Sequence, residues 1–223
     1  MIRMIRSIAP VVSLFVLEAC VHQKVLEPAV GVPVAPGRRD VAEAAMDGVT
    51  ITATGDSWKG DPPGLGSLFT PVRVAIENHS GRALRVTYRD FSLSGASGFQ
   101  YPAIRPIRAR GTLSAPGATS AAARPAYAEV YPAAEDWPGT LVYAPYEYHG
   151  FDASWPEHLP TQDMLSRALP EGLLQDGGKV SGFVYFRSVT QRESAVKLEM
   201  TLAEATDGQA FGHIAIPFQT AQQ

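Results

Sequence analysis

Apolar and polar positions alternate with a period of two in two parts of the chain, and a turn signal separates most of the alternating runs. Val49, Ile51 and Ala53 alternate with Thr50, Thr52 and Thr54, which predicts a strand with one buried face. Asp56 to Gly66 is a Gly/Pro loop carrying Trp58. Val72, Val74 and Ile76 then alternate with Arg73, Ala75 and Glu77 before a turn at Asn78-His79-Ser80-Gly81. Leu84, Val86 and Tyr88 keep to even positions, whereas Phe91 and Leu93 fall on odd ones. One extra residue reverses which side chains point inward, so a β-bulge is expected at Arg89-Asp90. Phe99-Gln100-Tyr101 opens a further extended piece.

The rhythm lapses between Arg105 and Gly178. Thr112 to Ala126 is rich in Ala, Ser, Gly and Pro, a low-complexity composition that builds little core. Thr161 can cap a short helix in which Met164, Leu165, Ala168 and Leu169 share a face, with Asp163 in the first turn and Pro170 as the stop. Strands return after Gly177-Gly178. Gly182-Phe183-Val184-Tyr185-Phe186 is apolar on both faces and is expected to lie centrally, under the opposite sheet on one side and the insertion on the other. Val196, Leu198, Met200 and Leu202 give the cleanest alternation, Asp207-Gly208 turns the chain, and Ile214, Ile216 and Phe218 form a last strand. Pro217 assigns that strand, or at least that end of it, to an edge. Seven or so short strands with turns between them predict a mainly β protein, an antiparallel β-sandwich over residues 48–220 with a long insertion at 105–178 that contains one short helix.

A resemblance supports the same reading. Val72-Arg73-Val74-Ala75-Ile76-Glu77-Asn78-His79-Ser80, Asp90-Phe91-Ser92-Leu93, Gly98-Phe99-Gln100-Tyr101 and Gly182-Phe183-Val184-Tyr185-Phe186 resemble the immunoglobulin-like domains of bacterial envelope lipoproteins. In those domains an Asn-x-Ser turn follows the second strand and a Gly-x-Val-x-Phe strand follows a glycine turn. The resemblance covers about half of the chain and implies an immunoglobulin-like sandwich with no catalytic residue. It departs from the family at the insertion, where the family has a shorter crossing.

The N-terminus has its own logic. Arg3 and Arg6 precede an apolar run from Ile8 to Leu17, the order of an export signal. A spanning helix needs roughly 20 apolar residues, and Glu18 ends this run early. A signal-peptidase cut after Ala19 would put bulky Leu17 at −3, where a small residue is needed. Leu17-Glu18-Ala19-Cys20 instead resembles a bacterial lipobox, whose cysteine is diacylated on sulfur, becomes the new N-terminus and is acylated again. Glu18 departs from the small or uncharged residue usual at −2. Residues 1–19 are thus expected to be a lipoprotein signal peptide, and Cys20 the membrane attachment through acyl chains that add about 0.8 kcal/mol per buried methylene. By the family's sorting rule, Val21 in place of Asp favours the periplasmic side of the outer membrane over the inner membrane. Pro28, Gly31, Pro33, Pro36 and Gly37 make residues 20–47 the expected flexible tether, about 30 Å across as a coil. Val41 to Met46 suits a turn of helix.

Composition then excludes some partners. Without residues 1–19, 17 basic and 21 acidic side chains remain, a net −4, so nucleic acid is not an expected partner, because phosphate backbones require a basic face. Cys20 is the single cysteine, and once acylated it leaves no thiol for a disulfide. Among candidate sites, Trp137, Tyr143, Tyr146, Tyr148, Phe151 and Trp155 place six aromatics in nineteen residues. Such rings either cover the open face of the sandwich or bind an envelope protein or glycan, offering large area at small entropic cost. His149, Asp152 and His158 are close enough in sequence to suggest a metal-dependent hydrolase using the 147–158 loop, but they lack a regular element to fix their spacing. No metal or other cofactor is therefore expected. Arg105, Arg108 and Arg110 suit either an anionic lipid or glycan or a solvated edge. No Gly-x-Ser-x-Gly elbow, Walker loop, His-Glu-x-x-His or dinucleotide fingerprint occurs, and the adjacent acids Glu135-Asp136 do not straddle a substrate. The expected function is non-enzymatic: a lipid-anchored cell-envelope module that binds or scaffolds another component.

Overall fold

The alternating runs build two antiparallel sheets. A computed structural model describes residues 24–55, 57–113 and 157–222. Its strands are β1 (Lys24–Pro28), β2 (Ala42–Met46), β3 (Val49–Thr54), β4 (Phe69–Asn78), β5 (Leu84–Val86), β6 (Phe91–Gly95), β7 (Gln100–Pro102), β8 (Thr112–Leu113), β9 (Glu157–His158), β10 (Gly172–Leu174), β11 (Lys179–Arg187), β12 (Ala195–Glu204) and β13 (Ala210–Gln222), with one short helix, α1 (Gln162–Ser166). One sheet runs β11-β4-β3-β2. The other runs β1-β13-β12-β5-β10, and β6, with β7 beyond it, pairs with a separate stretch of β12. Val72, Val74 and Ile76 of β4 and Val49 and Ile51 of β3 point from the first sheet into a core shared with Leu198, Met200, Ile214, Ile216 and Phe218 of the second. Burying each such side chain stabilises by about 1.5–3 kcal/mol. The protein is a mainly β two-sheet sandwich.

The expected tether carries two strands, Lys24–Pro28 and Ala42–Met46. Lys24–Pro28 pairs with the far end of the chain, Lys24 opposite Gln222 and Pro28 opposite Phe218. Val25 and Leu26 are buried, and Leu26 lies so close to Gly55 that a Cβ there would overlap it. The Pro and Gly residues punctuate this segment rather than loosen it. Ala42–Met46 is a strand and not a turn of helix, because Asp47 and Gly48 take φ of 49° and 81°, the two-residue hairpin turn that brings β2 back onto β3.

Other corrections concern phase and position. The reversal after Tyr88 is made by a 3-10 turn over Tyr88–Asp90 instead of a β-bulge. Its start is fixed by Asp90, whose carboxylate accepts from the Thr87 amide and hydroxyl at 3.0 and 2.8 Å, and both Tyr88 and Phe91 end up buried. β11 lies at the edge of its sheet and not centrally, but its open side is covered by bridges from Ile104 to Tyr185 and from Ala168 to Phe183. Gly182 permits the second contact: a Cβ there would sit 2.5 Å from the Leu169 nitrogen and Cα. β13 is flanked by β1 and β12, so Pro217 marks an edge only where β1 has ended. Its carbonyl accepts from Ala29 at 3.1 Å, and the missing N–H falls on the same side.

The insertion supplies a second small core. Ala109, Leu159 and Met164 pack with Leu65 and Phe69 on the outer face of β11, against Phe183 and Tyr185, so both faces of that strand are covered as expected. Thr161 caps α1, its hydroxyl accepting from the Met164 amide at 3.3 Å. The helix ends sooner than its apolar spacing suggests: Arg167 is already the C-cap, and Leu165 is exposed. Gly172–Leu174, within the stretch expected to lack strands, pairs with β5.

Candidate functional site

At the end of the sandwich where β1 begins, the loop after β3 folds back over β4 and leaves a partly open cavity of about 220 Å³. It is lined by Lys24, Val25 and Leu26 of β1, by Gly55, Trp58, Lys59, Pro63 and Gly66 after β3, by Phe69, Thr70 and Pro71 of β4, and by Thr190. The Trp58 indole is held firmly. Its Nε1 donates to the Pro62 carbonyl at 3.0 Å, and its ring stands edge-on to Phe183 and Tyr185 at 5.1 and 6.0 Å. Helix α1 braces the same loop: the Thr161 hydroxyl donates to the Asp61 carbonyl at 2.6 Å, and the Asp163 carboxylate accepts from the Asp61 amide at 3.0 Å. The two ammonium groups are exposed, and the lining presents more polar than apolar surface. Such a cavity suits a small anion.

Further basic groups stand at this end. Arg187 is opposite Phe69 in the β11–β4 ladder, and Arg192 lies two residues beyond Thr190; both are exposed. The nearby Glu193 is not part of an open site. It is 5% exposed and the one buried carboxylate among the described residues. It accepts from the Ser97 hydroxyl at 2.6 Å, the Ser97 amide at 3.1 Å and the Tyr101 phenol at 2.8 Å. Those donors, the Ser97 hydroxyl foremost, hold its carboxyl below the usual glutamate value. Gly95 makes room for it, since any Cβ there would collide with the carboxylate. Glu193 thus ties the Ser97 turn and Tyr101 to the start of β12.

The residues singled out from sequence are distributed unevenly. Cys20, Trp137, Tyr143, Tyr146, Tyr148, Phe151, Trp155, His149 and Asp152 lie outside the described residues. His158 is exposed on β9, opposite Thr112. Among the described residues no three His, Cys, Asp or Glu side chains are grouped to hold a metal ion. The arginine trio does not act as a unit: Arg105 pairs with Glu171 at 3.1 Å, while Arg110 donates to the Ile107 and Ala109 carbonyls at 2.8 and 2.9 Å. Sequence reading missed Lys24 and Lys59. A signal was present, because two of the chain's lysines fall beside the anchor motif and beside the only tryptophan outside the aromatic cluster, but nothing local says that they meet.

The fold and cavity define a two-sheet antiparallel β-sandwich with a braced basic pocket at one end. The chain matches no protein-family model and no curated protein. Among solved structures it is similar to the crystal structure of a putative lipoprotein (ycdA) from Bacillus subtilis, at 12% identity and a TM-score of 0.40, over 79% of this chain and 38% of that one. The chain thus spans 38% of that protein's length.

Proposed function

We propose that this is a lipid-anchored cell-envelope protein, a non-enzymatic module whose immunoglobulin-like sandwich binds or scaffolds another envelope component. The observation that carries the reading is Leu17-Glu18-Ala19-Cys20 behind a basic and apolar leader, a cysteine placed to receive acyl chains that make attachment effectively permanent when two or more are present. The strand that starts at Lys24 supports a short connection, with the folded body close to the lipid. Val21 after the cysteine favours the periplasmic side of the outer membrane. Trp137, Tyr143, Tyr146, Tyr148, Phe151 and Trp155 are the residues we assign to a protein or glycan partner, large rings of the kind that anchor interfaces. The non-enzymatic reading rests on the missing catalytic motifs.

Metabolic labelling with a fatty acid tests the anchor, with wild type beside Cys20→Ala. Label should enter the wild-type chain and be lost from the variant. Equal incorporation in the two overturns the reading.

A further inference from the structure

We propose that the cavity between β1 and the Trp58 loop receives the phosphodiester headgroup of an anionic phospholipid, so that the membrane which carries Cys20 is also bound by the folded body. This inference rests on the acylation reading for its geometry and on the cavity for its chemistry.

The geometry follows from chain length. Lys24 lines the cavity and opens β1, four residues after Cys20. Four residues reach at most about 14 Å when fully extended, while the headgroup layer is roughly 5–8 Å thick. An acylated Cys20 therefore keeps Lys24, and with it this end of the cavity, within about 14 Å of the lipid attachment. The body stands on its β1 end, and the turns at Asp47-Gly48, Asn78–Gly81 and Asp207-Gly208 face away from the bilayer.

The chemistry matches that surface. Lys24 and Lys59 supply two ammonium groups, and the lining holds no carboxylate among the described residues. Trp58 brings an amphipathic ring of the kind enriched at membrane interfaces, already fixed by its hydrogen bond to Pro62. Arg187 and Arg192 are exposed at the same end. Asp163 and Glu193 also stand at this end, but each is engaged within the fold, Asp163 with Arg167 and Glu193 with Ser97 and Tyr101. Size points the same way. At about 220 Å³ the cavity is below the roughly 300–1,000 Å³ of ordinary small-molecule sites. It admits a glycerol phosphodiester and leaves the acyl chains in the bilayer.

The four lysines provide the test, because Lys179 pairs with Glu77 at the opposite end and Lys197 faces Pro217, five ladder positions from the Gln222 that pairs with Lys24. The acylated full chain is placed in phosphatidylglycerol or phosphatidylcholine vesicles, and the rate of amine acetylation at each lysine is read by mass spectrometry. In phosphatidylglycerol, Lys24 and Lys59 should react about fivefold more slowly, as 1 + [L]/Kd gives for headgroup at about four times Kd, with Lys179 and Lys197 unchanged. Equal rates in the two lipids overturn the proposal. So does undiminished protection of Lys24 in a Lys59→Glu chain, which would show diffuse attraction and no shared pocket. A second arm uses the Cys20→Ser chain with glycerophosphoglycerol in solution. Protection of Lys24 and Lys59 there supports the headgroup site even where fatty-acid labelling has refuted the anchor. Cys20-dependent labelling with no protection in either arm keeps the anchor and refutes the site. Equal protection by inorganic phosphate refutes a lipid headgroup as the ligand.

Discussion

Glu193 shows how a single side chain closes a corner of this sandwich. A buried carboxylate costs free energy unless its oxygens are satisfied, and here the Ser97 hydroxyl, the Ser97 amide and the Tyr101 phenol all donate to it. These bonds favour the charged form and hold the carboxyl below its ordinary value. The folded state thus binds the proton more weakly than the unfolded chain. The stabilisation is complete above the unfolded glutamate value, near 4.3, and is lost as pH falls through the lowered folded value. Glu193→Gln removes this dependence and turns an NH2 group toward donors, so the variant should unfold at lower urea concentration at neutral pH. The difference from wild type should shrink on acidification below about pH 4. A constant difference down to acid pH would show that the carboxylate charge is not what these donors stabilise.

Among the elements, β1 carries the largest correction, since a segment read as tether is the strand that completes the second sheet. Its contribution is packing as well as pairing. Leu26 is 2% exposed, sits in the main core and rests on the bare Cα of Gly55. Leu26→Ala should cost about 2–5 kcal/mol, the range for truncating a buried leucine, read as a shift in the urea midpoint at unchanged slope. A tether residue would show a change near zero. The hairpin at Asp47-Gly48 makes the same point in a legible form. An Asp-Gly pair between two runs is a strong turn signal, but the alanines of Ala42–Met46 favour helix by intrinsic propensity. Pairing with β3 overrides that propensity.

The whole molecule depends on a second core outside the sandwich. Tyr185 is buried against the insertion and donates its phenol to the Met164 carbonyl at 3.0 Å, and Tyr88 donates to the Leu169 carbonyl at 3.0 Å. Burial pushes both phenols upward from the ordinary tyrosine value. A raised folded value means stability that is fully present below the unfolded tyrosine value, about 10, and lost as pH rises through the folded one. Both groups clamp the 157–174 segment, so the sandwich should lose stability above about pH 10, measured by thermal unfolding across pH. Tyr185→Phe should lessen that alkaline loss while lowering stability at neutral pH by roughly 0.5–1.5 kcal/mol, the worth of one hydrogen bond. An unchanged alkaline limb in the variant would assign the loss elsewhere.

Sequence alone determined what short-range spacing controls. Alternation set which side chains of β3, β4, β12 and β13 face the core, the Asn78–Gly81 and Asp207-Gly208 turns set where strands reverse, and Thr161 set where α1 begins. Those choices depend on residues a few positions apart. Tertiary structure alone decided that Lys24–Pro28 pairs with the other end of the chain, that β11 lies at a sheet edge beneath the insertion, and that Lys24 and Lys59 share a cavity. Each of these joins residues distant in sequence. Proline and glycine look the same whether they interrupt a linker or separate two paired strands, and only the surfaces they bring together distinguish the two.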